Sequence, residues 1–185
     1  MGIFQVNSYL LTCEETGKTV VVDPGDEPDI LLRRLDELGV EPEAILNTHG
    51  HVDHVAGNAR LRERYDIPIL MHPEDRFLVD GFKEQAAMFG LTLAPPPPPD
   101  ADLTPGEAYA FGACSLDVHF TPGHSPGHVA LVHGRQAISG DVLFAGSIGR
   151  TDLPGGSLEV LLKSIDEVLV PLGDDLEIHP GHGPA

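Results

Sequence analysis

Three imidazoles and a carboxylate fall within six positions of the segment Thr48-His49-Gly50-His51-Val52-Asp53-His54. Neutral imidazole suits zinc and related divalent ions, and a carboxylate adds compensating charge. One ion rarely takes all four groups. Alternate residues, His49 and His51, can point at one centre while the next pair, Asp53 and His54, point at a neighbouring one. Two further turns set a histidine between glycine and proline: Thr121-Pro-Gly-His124-Ser-Pro-Gly-His128 and His179-Pro-Gly-His182-Gly-Pro. These flanking residues are expected to fix tight turns with room for the close approach of an ion. Ser139-Gly140-Asp141 supplies a carboxylate whose two oxygens can bridge two cations, with Gly140 leaving space beside it. Divalent cations so held lower the pKa of a bound water to about 7, a nucleophile at neutral pH that needs no serine or cysteine.

For these groups to meet, each must end a well-positioned element. Thr19-Val-Val-Val-Asp23, closed by Pro24-Gly25, reads as a buried strand that delivers Asp23 to a turn. Asp23 is then either a turn former or the acceptor that fixes the tautomer of a ligand imidazole. Asp26 is expected to cap a helix carrying Leu31, Leu35 and Leu38 on one face, stopped by Gly39. Ala44 to Thr48 reads as a strand, followed by the histidine turn, a helix over about residues 54 to 65 and a strand from Pro68 to His72. Such alternation argues for an α/β sandwich. Five consecutive prolines at 95–99 read as a stiff surface connector. Strands are expected over 116–121, 129–132, 136–139 and 176–179. Between the last two, Ser157 should cap a helix with Leu158, Leu161, Leu162, Ile165 and Leu169 on one face.

Composition excludes several classes. At 185 residues and 41% hydrophobic, the chain fits one domain with a core of its own, residues 1–185. No apolar run approaches the roughly 18 residues of a membrane span, and no secretory signal opens the chain, so the expectation is a soluble cytoplasmic protein. The formal charge of −18 repels phosphate backbones and anionic membrane surfaces, which excludes nucleic acid and membrane as first partners. Cys13 and Cys114 are too few for a disulfide framework and read as reduced thiols.

The segment from His49 to His54, then His124, Asp141 and His182 in that order, resembles the metallo-β-lactamase fold superfamily over nearly the whole chain. The resemblance implies a four-layer αβ/βα sandwich of two mixed sheets with a dinuclear site at one edge. It implies a first ion on His49, His51 and His124, a second on Asp53, His54 and His182, and Asp141 bridging both. Zinc is the first choice of metal, with iron or manganese as alternatives.

Within that superfamily the chain is most similar to small glyoxalase II-like hydrolases. Gln5-Val-Asn-Ser-Tyr9-Leu-Leu, the stretch Phe144-Ala-Gly-Ser-Ile-Gly-Arg150-Thr-Asp152-Leu-Pro, and the closing histidine turn carry this likeness. It implies a dinuclear-metal hydrolase cleaving a thioester, a hydroxyacylglutathione, with Asp53 orienting the nucleophile; Arg150 either meets a substrate carboxylate or neutralises the surplus of acidic side chains. The helical C-terminal domain of glyoxalase II has no counterpart, and Asp152 stands where that enzyme carries a glutathione-contacting tyrosine. The chain also reads as truncated at both ends relative to the family. Class B β-lactamases carry a cysteine near the bridging position, and flavodiiron proteins a glutamate in place of His51, so both branches are disfavoured. Two alternatives stand beside the hydrolase: a mononuclear iron persulfide dioxygenase, which keeps a similar Gly-Arg-Thr-Asp segment, and a non-catalytic metal-binding protein.

Overall fold

A computed structural model describes residues 3–184. The first sheet has the order β1-β2-β3-β4-β5, formed by Tyr9–Thr12, Thr19–Val22, Pro42–Leu46, Ile69–Met71 and Ala101–Asp102. β1 is antiparallel to β2, and the remaining neighbours are parallel. The second sheet has the order β12-β9-β8-β7-β6, with β6 at Ala108–Phe111, β7 at Cys114–Phe120, β8 at Val129–His133, β9 at Gln136–Gly140 and β12 at Glu177–Pro180. Here β12 runs parallel to β9, and the other pairs are antiparallel. A small hairpin of β10 (Leu143–Phe144) and β11 (Ser147–Ile148) stands apart from both sheets.

Alternation along the strands builds the layers. Val20, Val22, Ala44 and Leu46 face the second sheet and pack with Val118, Val129, Leu131 and Ile138. Val21, Ile45 and Ile69 point outward and bury Leu31, Leu32 and Leu35 of α1 (Pro28–Leu38), with Leu61 from a later helix. Because both faces of β2 are covered, all four of its residues are buried, which explains the unbroken β-branched run. On the far side, Ala130 and Val142 pack against Leu161 and Leu169. The result is the expected αβ/βα sandwich of two mixed sheets.

Besides Leu38 of α1, which is 47% exposed rather than packed with Leu31 and Leu35, three local expectations differ from the structure. The helix expected over 54–65 is divided into α2 (Val52–Val55) and α3 (Asn58–Tyr65). The break lies at Gly57, whose N–H donates to the Pro24 carbonyl at 2.9 Å and whose Cβ, were there one, would lie 2.7 Å from the Gly25 carbonyl. The chain turns there to lean on the Pro24-Gly25 turn. Second, Glu27 rather than Asp26 occupies the N-cap of α1, without a capping hydrogen bond from its side chain, while Asp26 accepts from the Ile3 N–H. After α4 (Arg76–Asp80) and α5 (Phe82–Met88), Ser157 caps α6 (Leu158–Ser164) as expected, accepting from the Val160 N–H. The apolar stripe on α6 is the third difference: Leu161 and Leu169 are buried, but Leu158 and Leu162 remain 53% and 45% exposed. Within α6 the buried positions are Leu161 and Ser164, so the packed face is narrower than the apolar stripe and leaves Leu158 and Leu162 outside it.

The proline run lies outside any helix or strand and connects α5 to β5. Both cysteines are free, Cys13 buried and Cys114 half-buried. Among the described residues no helix is long and apolar enough to cross a membrane.

Gly123 fixes how closely α6 docks. Its φ is +127°, and a Cβ there would lie 2.3 Å from the Leu161 backbone nitrogen. Gly123→Ala is therefore expected to destabilise the chain by about 3 kcal/mol. Gly134→Ala, at φ +58° with nothing within 4 Å, should cost only about 1 kcal/mol. Urea unfolding of the two variants checks the difference.

Candidate metal centre

All the chemically notable groups gather at one edge of the sandwich because of strand direction. β2 through β5 are parallel, so Asp23 after β2, the histidine loop after β3 and Asp75 after β4 emerge together. β7, β9 and β12 also share one direction, since β8 is antiparallel to β7 and β9 while β12 is parallel to β9. His124, Asp141 and His182 follow those three strands.

The side chains form two groups. Donor atoms of His49, His51 and His124 lie within 4.8 Å of one another in a fully buried triad, and those of Asp53, His54 and His182 meet the same limit. Asp141 lies between the groups: Oδ1 is 3.4 Å from His54 Nε2, and Oδ2 is 3.5 Å from both His124 Nε2 and His182 Nε2. The seven residues singled out in the sequence thus converge.

Hydrogen bonds decide which nitrogen each ring offers. Asp23 is buried at φ +49°; its Oδ1 accepts the Thr48 N–H at 2.8 Å, and its Oδ2 accepts the Thr48 hydroxyl at 2.6 Å and His54 Nδ1–H at 3.0 Å. That leaves His54 Nε2 facing the centre, a lone pair once its proton is displaced. With its proton committed to Asp23, the Thr48 oxygen accepts from His49 Nδ1 at 3.1 Å, so His49 also presents Nε2. His124 Nδ1 donates to the Arg150 carbonyl at 2.8 Å and turns Nε2 inward, 2.8 Å from His51 Nδ1. Asp23 also lies within reach of His49 and His54, but its oxygens are already engaged, so it orients both rings. Of the two readings of Asp23, the structure selects the orienting acceptor.

Four buried atoms have no hydrogen-bond partner at this centre: Nε2 of His49, His51 and His54, and Oδ1 of Asp141. Leaving such an atom unpaired costs about 1–3 kcal/mol. Lone pairs of nitrogen and carboxylate oxygen, concentrated in a buried pocket, suit divalent cations. The donor set fits a pair of them.

Proton affinities differ between the groups. Burial pushes His49 far below its ordinary range, and His54, His124 and His51 add to the effect. Burial and then His124 bring His51 down to about 3, and burial also lowers His124. At His54 burial opposes the charged form, but Asp53, Asp141 and Asp23 outweigh it and raise the pKa well above normal. His182 is likewise raised against burial, by its hydrogen bond to Asp53 and by Asp141. Burial would raise Asp53 and Asp141, yet His54 holds both below the usual carboxylate range.

A cavity of about 380 Å³ opens over the centre, walled by Phe4, Phe89, Phe144, Ile148 and Leu153 and reached by Gln85 and Arg150. The Arg150 guanidinium is paired with Asp152 through Nε–Oδ1 and Nη2–Oδ2 contacts, both 2.7 Å, at a rim where the two side chains are 54% and 69% exposed. A larger cavity of about 600 Å³, lined by Tyr9, Cys13, Cys114 and His179, contains none of the converging donors.

The sequence profile of the metallo-beta-lactamase superfamily matches residues 1–184. The chain belongs to that superfamily. It is 38% identical over 184 residues to the hydroxyacylglutathione hydrolase GloC of Haemophilus influenzae, spanning 97% of this chain and 86% of that protein. The crystal structure of TTHA1623 in a di-iron-bound form superposes with a TM-score of 0.91 at 44% identity, covering 100% of this chain and 90% of that one. BLEG-1, a B3 metallo-beta-lactamase, superposes at 0.92 with 34% identity and the same coverage. Family, fold and the two donor groups together make this chain a metal-dependent hydrolase of the metallo-β-lactamase superfamily.

Gly140 and Gly181 each make room for protein atoms at the centre. A Cβ on Gly140 would lie 2.6 Å from His128 Nε2 and Thr48 Oγ1; on Gly181, 2.1 Å from Asp141 Oδ1. His128 is fully buried between Thr121 Oγ1 (2.9 Å) and the Asp141 N–H (3.0 Å), and so holds Asp141 in place. Asp75 escaped the sequence reading altogether. Its carboxylate is buried and accepts from Gly50 N–H, Ser125 hydroxyl and Gly127 N–H. Its position just after a strand parallel to β2 and β3 was the available signal.

Two outcomes are expected. Asp23→Asn removes an acceptor from His54 and Thr48 and should weaken metal binding about 10- to 100-fold in equilibrium titration. At pH 7 an ion entering the Asp53, His54 and His182 group must displace protons held by the raised histidines, whereas the triad is already neutral. Calorimetry in buffers of different ionisation enthalpy should therefore show greater proton release for the ion entering the Asp53, His54 and His182 group than for the other.

Proposed function

We propose that this chain hydrolyses thioesters, with a hydroxyacylglutathione such as S-lactoylglutathione as substrate. In this reading His49, His51 and His124 hold one ion, Asp53, His54 and His182 the second, and Asp141 bridges them. The observation that carries it is the pair of donor groups sharing Asp141 beneath an open, apolar-walled cavity. When bound, the two ions, taken as zinc, would activate water as a nucleophile and polarise the thioester carbonyl.

The chain's own residues supply the rest. Asp53 is held ionised and half-open to the cavity, where it can orient an attacking water. Asp23 and Thr48 keep His54 and His49 in the ligating tautomer. The aromatic walls exclude bulk water from the acyl group. Arg150 at the rim is assigned to a substrate carboxylate, which must share the guanidinium with Asp152. The name of the Haemophilus relative supports the substrate class. A cytoplasmic setting, where low-molecular-weight thiols are abundant and reduced, accords with it.

The likeness to BLEG-1 favours one second reading, β-lactam hydrolysis, because a dinuclear centre under an apolar cavity also accommodates a lactam carbonyl. Purified zinc-loaded protein should release thiol from S-lactoylglutathione, lose that activity to a chelator and regain it with zinc. No thiol release above background would remove the thioester proposal, and turnover of a chromogenic β-lactam in its place would install the second reading. Asp53→Ala should lower kcat at least 100-fold. Arg150→Ala should raise KM about tenfold with kcat little changed. One iron per chain with oxygen uptake would point instead to a persulfide dioxygenase.

A further inference from the structure

Asp75 ends the short 3-10 turn Pro73–Asp75 that follows β4, is fully buried and belongs to neither donor group. Its carboxylate nevertheless joins two loops that bring the buried triad together. Oδ2 accepts the Gly50 N–H at 2.9 Å and the Ser125 hydroxyl at 2.6 Å, and Oδ1 accepts the Gly127 N–H at 2.6 Å. Gly50 lies between His49 and His51, while Ser125 directly follows His124.

Both loops rest on Asp75 at a distance only glycine permits. A Cβ on Gly50 would lie 2.8 Å from the Asp75 carbonyl oxygen, and one on Gly127 would lie 2.6 Å from the Asp75 nitrogen. The second donor group is held by other means: His54 by Asp23, and the turn bearing His182 by Asn7, whose Nδ2 donates to the Pro180 and Gly183 carbonyls.

We propose that Asp75 is a positioning residue that sets the spacing of the His49–His51 loop against His124, and thereby the affinity of that triad for its ion, separately from the Asp53, His54 and His182 group. The proposal rests on the metal reading given above. Asparagine at this position keeps the volume but offers one acceptor oxygen in place of two. Whichever way its amide turns, its NH2 faces the N–H of Gly50 or of Gly127, and a buried donor is left unpaired.

Cobalt(II) titration followed by visible absorption tests this on the full chain. Bands lost in His124→Ala and kept in His182→Ala belong to the triad. In Asp75→Asn the triad bands should need at least tenfold more cobalt for half-saturation, while the other bands stay within twofold of wild type. Ser125→Ala removes one of the three hydrogen bonds and should shift the triad bands about threefold in the same direction. Unchanged titrations, or equal weakening of both sets of bands, would overturn the proposal and leave Asp75 a general structural residue. Should Asp75→Asn fail to fold, Ser125→Ala decides by the same criterion. A wild-type chain that binds no cobalt would refute the metal reading itself, before any variant is compared.

Discussion

Unpaired polar atoms at a buried centre dominate this structure. Three imidazole nitrogens and one carboxylate oxygen at the sandwich edge are sealed from solvent without a hydrogen-bond partner. A fold tolerates such atoms only where a further charge is due to arrive or where surrounding groups hold them rigidly. The rest of the edge reflects that constraint. Asp23, Thr48, His128 and the Arg150 carbonyl are each committed to the centre, and each leaves a lone pair pointing inward.

The supporting carboxylates are stable for a related reason. Asp23 and Asp75 are as buried as the leucines of the core, yet both are saturated by short hydrogen bonds from backbone and hydroxyl donors. Neither lies beside a lysine or arginine in these contacts. Directed N–H and O–H groups replace water around them, which fixes geometry more tightly than a mobile surface cation would.

The alternation of strand and helix was readable because apolar residues recur at intervals of two and of three to four, and the donors were readable because histidine is scarce enough for clusters to stand out. The layered sandwich itself came from the ordered motif, since periodicity alone does not say how two sheets pair. Features set by tertiary contact stayed hidden. The break between α2 and α3 depends on Gly57 meeting the Pro24-Gly25 turn, 32 residues away in sequence. The buried face of α6 depends on which of its leucines the second sheet reaches, and of these Leu161 packs with Ala130 and Val142. Asp75 sits in His72-Pro-Glu-Asp75, an ordinary helix-start pattern, and only the parallel course of β4 beside β3 reveals what it meets. Gly140 and Gly181 were legible as places of close approach, but whether an ion or a neighbouring side chain approaches is a question of three dimensions.

Arg150 serves two separate neighbours through different parts of one residue: its main-chain oxygen steadies the His124 ring, while its guanidinium lies at the cavity mouth beside Asp152. A change of side chain there would alter the cavity mouth and leave the His124 bond in place, because the carbonyl remains whatever residue follows Gly149. An insertion or deletion in that stretch would instead carry the carbonyl away from the imidazole. The length of the loop is thereby coupled to the interior, while its side chains face outward.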